Sequence, residues 1–235
     1  MTLDRLACAI SIVGLLCAPC AVRAQFATPD KAGGTRVLPP TIPIFPLQDV
    51  MLFPNISRPL HIFEPRYRAM VADALKGDRI IGMVLLRAGY EAEYEGRPPI
   101  YPVGCAGVIT DVEELPDGRY VIMLRGLVKF HVTSEDQGRA YRRARVEAMP
   151  EVADAEQRAA LRRQRPRLTA LLAEVAAAGS QPPSPALPDE DLVNGLAQYL
   201  DLDPIERQKL LERNDPLSRS QALIDLLEAR VTPAR

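Results

Sequence analysis

Prolines at 43, 46, 54, 59 and 65 punctuate the stretch IPIFPLQDVMLFPNISRPLHIFEPRYRAMVADAL, running from Ile42 to Leu75. A proline lacks the backbone N–H and fixes φ, so no helix runs through these positions and no long central strand does either. Only short strands fit between them. TIPIF and RPLHIF have that character, with Pro59 at the start or the edge of the second. The first uninterrupted piece follows Glu64-Pro65, where proline suits the first helical turn. Tyr67, Met70, Val71, Ala74 and Leu75 then recur at the spacing of one buried helical face, and Gly77 stands at C′.

The β texture continues to Pro150. DRIIGMVLLR carries a continuous apolar strand from Arg79 to Leu86. GCAGVITDVEEL and RYVIMLRGLVKFHV flank Pro116-Asp117-Gly118, the signature of a hairpin, and Gly126 marks a bulge or bend in its second arm. YRRARVEAM alternates and supplies a last strand. Short strands under one covering helix imply a strongly bent sheet or small barrel.

After Pro150 the composition shifts to alanine, leucine and arginine in helical rhythm. ADAEQRAALRRQRPRLTALLAEVAAAG is kinked or split at Pro166. Asp203-Pro204 and Asp215-Pro216 each pair a cap residue with proline at the first helical position, and Leu217, Leu223, Ile224, Leu226 and Leu227 make the last segment amphipathic. The chain is therefore expected to be mixed α+β. Residues 1–24 read as a signal peptide and 25–40 as a flexible lead-in; 41–150 form the β-rich part and 151–235 a helical bundle.

The 235 residues carry a net charge of −1, with 47% hydrophobic and 25% charged residues. That balance provides no global field to gather nucleic acid or an anionic membrane. In MTLDRLACAISIVGLLCAPCAVRAQ, Arg5 precedes an apolar run from Leu6 to Val22, and small residues lead to a cleavage site between Ala24 and Gln25. This predicts a periplasmic or secreted protein; an uncleaved anchor, or a misassigned start of a cytoplasmic protein, are the alternatives. Cleavage would remove Cys8, Cys17 and Cys20 and leave Cys105, in the apolar context YPVGCAGVI, as a buried strand residue.

The Ile42–Leu75 stretch, together with VGCAGVITDVEELPDGRYVIMLRGLVKF, resembles the N-terminal substrate-binding domain of Lon proteases, and the likeness extends over about Thr41 to Arg230. It implies a PUA-like pseudo-barrel followed by helices, of the stand-alone kind, that binds unfolded or partner polypeptide. On this resemblance the signature residues are Phe45, Pro46, Phe53, Pro54, Pro59, Leu60, Phe63, Glu64, Pro65, Arg66, Tyr67 and Gly126, with structural roles. Phe53, Pro59 and Phe63 are the expected polypeptide contacts.

The chemistry-bearing residues offer little beside that. No G-x-x-x-x-G-K-[ST] loop is present to cradle phosphates, and none of Lys31, Lys76, Lys129 and Lys209 has the context of a serine's base. His61 and His131 lack metal-ligand spacing. Neither a catalytic residue, a metal nor a cofactor is expected. Asp111, Glu113, Glu114 and Asp117 read as the solvated face of a hairpin. Arg158, Arg162 and Arg165, with Arg142, Arg143 and Arg145 upstream, make RNA binding a rival, weakened by the absence of interleaved aromatics. A small-molecule-binding module on the same fold is the other alternative.

Overall fold

The computed structural model describes residues 38–90, 96–136, 138–175 and 184–231. The leader, its cleavage site at Ala24 and Gln25, and all but the end of the lead-in lie outside the described residues. Six strands and five helices follow in order: β1 (Thr41–Leu47), β2 (Ser57–Ile62), α1 (Pro65–Leu75), β3 (Ile80–Leu85), β4 (Val103–Glu114), β5 (Tyr120–Asp136), β6 (Arg143–Met149), α2 (Ala155–Val175), α3 (Asp189–Tyr199), α4 (Pro204–Leu211) and α5 (Pro216–Val231).

The sheet runs β2-β5-β4-β3-β1-β6, and an additional β5–β6 pairing closes it into a barrel. β1 and β3 are parallel, and the other pairs are antiparallel. Closure depends on the length of β5: its C-terminal half, from Lys129, pairs with β6, whereas its N-terminal half, Tyr120 to Arg125, pairs with β2. β2 is thus an extension of the barrel rather than a stave of it. The two halves of β5 part at a bulge, where Ala106 faces Val128 but Gly107 faces Gly126. Gly126 is required there because a Cβ would collide with the Phe53 carbonyl. The loop before β2 lies against this bulge: Asn55 donates to the Gly126 carbonyl at 3.0 Å, and Gly126 donates to that of Ile56 at 2.9 Å.

Two apolar cores result. Inside the barrel, Ile42, Ile44, Val84, Ala106, Phe130 and Ala144 are almost wholly buried. Phe130 takes the centre, and a Cβ on Gly82 would approach its ring and Ile42 within 2.8 Å. The larger core lies on the outer side of the sheet and gathers Phe45, Phe53, Tyr67, Met70, Ile122 and Leu124 with Leu161, Leu168, Leu223 and Leu227 from the helices. The helix starts follow their sequence signals. A capping box joins Asp203 and Glu206, and the Asp215 carboxylate accepts from the Ser218 N–H at 2.8 Å.

Three local expectations change. Phe45 and Pro46 do not end a strand; Pro46 lies inside β1 opposite Val84. β6 pairs only with Thr41 to Pro43, so Pro46 faces no donor-seeking neighbour on its second side. α2 is continuous from Ala155 to Val175 with Pro166 inside it, not split. Gly77 follows the C-cap residue Lys76 as expected, but the left-handed residue that turns the chain into β3 is Arg79, at φ 60°.

Candidate functional site: an open sheet face

Beyond the barrel, the end of β4, the start of β5 and β2 form a three-stranded extension whose two faces differ. Side chains alternate along each strand, so one face takes Ile62, Tyr120, Ile122 and Leu124, all buried in the outer core. The register sets the opposite face in rows: Glu113, Val121 and His61 in one, Asp111, Met123 and Pro59 in the next. Pro59, His61 and Val121 are exposed there and Met123 is half-buried. Phe63 follows β2 with its ring 6.0 Å from that of His61, and is 60% exposed. Single exposed apolar residues are ordinary, but neighbouring ones on adjacent strands form a patch.

The outer edge of β2 is closed off at its start. The Gln198 amide donates to the Ser57 carbonyl at 3.2 Å, and the Tyr199 hydroxyl donates to the same oxygen. The Arg58 guanidinium donates to the Gln198 carbonyl at 3.2 Å and stacks 5.1 Å over the Tyr199 ring. Pro59 brings no N–H. Addition of a further strand is disfavoured at such an edge, which leaves the face as the accessible surface.

Of the three expected contacts, Pro59 and Phe63 meet on this face and Phe53 does not. Phe53 is fully buried: its N–H donates to Gln198 Oε1 at 2.9 Å, and the Arg219 guanidinium lies 5.6 Å from its ring centre. Its loop, from Met51 to Pro54, is drawn under α3 by these bonds, so Phe53 anchors the core and presents nothing to a partner. Among the other signature residues, the Phe45 and Tyr67 rings pack at 4.3 Å. Arg66 pairs with Glu64 at 2.9 Å and stacks 4.6 Å over Tyr67 just after the Pro65 helix start. Leu60 is half-buried toward the outer core, and the Pro54 carbonyl accepts from the Asn194 amide at 3.1 Å. Sequence reasoning missed Val121 and Met123. Their signal was the run YVIM, apolar on both faces of a strand that alternation would otherwise make polar on one.

Polar groups concentrate instead in a buried seam between barrel and helices. The Lys129 ammonium pairs with Glu151 at 2.7 Å and donates to the Arg213 carbonyl. Arg219 pairs with the same carboxylate and donates to Asn194 Oδ1 at 2.6 Å and to the Leu210 carbonyl at 2.9 Å. Burial pushes the Lys129 pKa down, and Glu151 opposes that shift. Gln208 reaches across to the Val103 carbonyl at 3.1 Å. Cys105 is fully buried, and burial pushes its thiol pKa far up.

Clefts open elsewhere among the described residues. One, of about 420 Å³, is lined by Leu85, Leu86, Arg87, Tyr90, Pro204 and Ile205. Another, of about 350 Å³, surrounds Asp73, which accepts from Arg139 at 2.6 Å and from Tyr141 at 2.9 Å. Of the arginines considered as an RNA patch, Arg142, Arg143, Arg158 and Arg165 have partners within the fold, whereas Arg145 and Arg162 are exposed. Arg142 is buried against Glu135 at 2.6 Å, Arg165 pairs with Asp189 at 2.7 Å and Arg158 donates to the Ala153 carbonyl at 2.6 Å. Among the described residues, no group of three or more His, Cys, Asp or Glu is placed to hold a metal, and no helix is long and apolar enough to cross a membrane.

The family model of the ATP-dependent protease La (LON) substrate-binding domain matches residues 41–229, and the chain belongs to that family. Lon protease 2 of Myxococcus xanthus is 26% identical over 199 residues, covering 82% of this chain and 24% of that protein. Lon protease of Trichlorobacter lovleyi is 31% identical over 202 residues, covering 81% and 24%. The chain therefore spans about a quarter of the length of the curated relatives it matches. Among solved structures, the N-terminal domain of a Mycobacterium avium complex Lon protease superposes with a TM-score of 0.59 at 19% identity, covering 80% of this chain and 98% of that one. A Lon N-terminal domain protein from Xanthomonas campestris gives 0.52 at 24% identity, covering 79% and 97%. These two likenesses establish the fold.

Proposed function

We propose that the chain binds polypeptide on the open face of the β4–β5–β2 extension and does not cleave it. The observation that carries this reading is the row-by-row adjacency of Val121 with His61 and Met123 with Pro59, beside the exposed ring of Phe63. The matched family is described as substrate-binding and the relatives as proteases, which makes protein the natural class of ligand. An unfolded segment laid across the face buries apolar side chains at about 25 cal/mol per Å², less the cost of ordering the segment. The absence of catalysis is supported by the character of the reactive groups: the Cys105 thiol is buried with a raised pKa, and Lys129 is held by Glu151.

The test is binding of the full chain to a chemically unfolded model protein, with the folded form as control. Saturable binding to the unfolded form, lost in Phe63→Ser/Val121→Ser, supports the proposal; equal binding by that variant overturns it. A second reading, a small apolar ligand in the Leu85–Tyr90–Ile205 cleft, predicts binding that survives the double substitution. The leader pattern supports action outside the cytoplasm; a natural N-terminus at Gln25 supports it, and an intact Met1 overturns it.

A further inference from the structure

The open face carries its carboxylates on one side only. Its β4 row is Asp111 and Glu113, directly opposite Met123 and Val121 in the register, with Pro59 and His61 beyond them on β2. Both carboxylates are exposed, and neither forms an ion pair among the described residues. At the hairpin tip, Asp117 is neutralised by Arg119 at 2.6 Å, so the tip adds no net field. Arg125 stands one row nearer the barrel, opposite Ser57, and is the cation of the described rows. The four acidic residues that read as a solvated hairpin in sequence therefore separate: Asp111 and Glu113 line the apolar strip, whereas Glu114, opposite Tyr120, and Asp117, at the tip, do not.

We infer that this face selects cationic apolar polypeptide, segments in which lysine or arginine stands among apolar side chains. The inference rests on the polypeptide-binding reading and names its substrate class. Along β4 positions 111 and 113 are one alternate-residue repeat apart, about 6.6 Å, the same repeat as in any extended chain. A segment extended along the strip with its pleat in the plane of the face can therefore set two alternate basic side chains toward Asp111 and Glu113 while the apolar side chains between them point the other way, toward Val121, Met123 and Phe63. Covering the strip lowers the local dielectric, so a carboxylate facing lysine gains from burial and one facing glutamate loses. Pro59 and the Gln198–Tyr199 clasp keep the segment on the face, where the carboxylates are, and off the β2 edge.

The experiment compares two short synthetic peptides with the same alternating phenylalanine and leucine residues, differing only in lysine or glutamate between them, against the full chain by fluorescence anisotropy. At low salt the lysine peptide is expected to bind about tenfold tighter. The difference should shrink as salt rises. Asp111→Asn/Glu113→Gln should remove the advantage without weakening the glutamate peptide. Equal affinities in the unaltered chain overturn the charge preference and leave polypeptide capture standing. An advantage that persists in the double variant also overturns it, because the selectivity then lies elsewhere. Binding of neither peptide overturns both the preference and the underlying reading of the face.

Discussion

The buried seam and the open face invert the usual placement of residues. The seam holds Lys129, Arg219 and Asn194 away from water around a nearly buried Glu151, and the face leaves Phe63 and Val121 in it. In the seam every charge meets a partner: one carboxylate serves two cations, and the carbonyls of Arg213 and Leu210 accept further hydrogen bonds from them. Such networks add less to stability than an apolar core would, but they admit one arrangement of the parts they join. Here they dictate how the helices sit on the barrel. The face has no internal partner, and its cost is accepted in the free protein. Polarity inside specifies the fold; exposed apolar surface is available for binding.

The largest effect is expected from Glu151→Ala, which strands Lys129 and Arg219 without a counter-charge and should cost about 3–5 kcal/mol, measured by urea unfolding. A loss under 1 kcal/mol would mean that water reaches the seam and the contrast is weaker than drawn. Gln198→Ala removes the acceptor of the buried Phe53 N–H and should cost about 1–3 kcal/mol. Phe63→Ser/Val121→Ser should move stability by no more than about 0.5 kcal/mol, since surface substitutions rarely do more, while abolishing capture of unfolded protein. A large destabilisation would show the face to be structural.

The smallest effect concerns pH. The Tyr141 hydroxyl first, then the nearby Arg139 and Lys76 cations, holds the Asp73 carboxyl below its ordinary pKa. The folded pKa is therefore the lower one, so Asp73 contributes stability above its unfolded pKa, near 3.9, and loses it as pH falls through the folded value. Asp73→Asn should be slightly less stable than the unaltered chain at neutral pH, and the gap should close in acid. A gap that widens in acid would overturn this assignment.

Local features were legible where one or two residues carry the physics. Pro65 started a helix, Pro116-Asp117-Gly118 turned a hairpin and Gly126 made a bulge, because each acts through its own backbone. Phe53 was misassigned for the opposite reason. A phenylalanine before a proline is apolar in sequence whether it faces solvent or core, and Gln198, 145 residues away, decides which. Val121 and Met123 were hidden because an apolar strand read alone does not reveal that one of its faces stays uncovered.

The sequence by itself determined the short strands, the single early helix, the helical C-terminal third and the family to which they belong, since proline placement, turn residues and helical periodicity are local. Tertiary structure alone decided that β5 divides between β6 and β2, that the seam is charged and that one sheet face remains open. Those follow from which surfaces cover one another, and pairing between separate segments is a property of the packed chain rather than of any window along it.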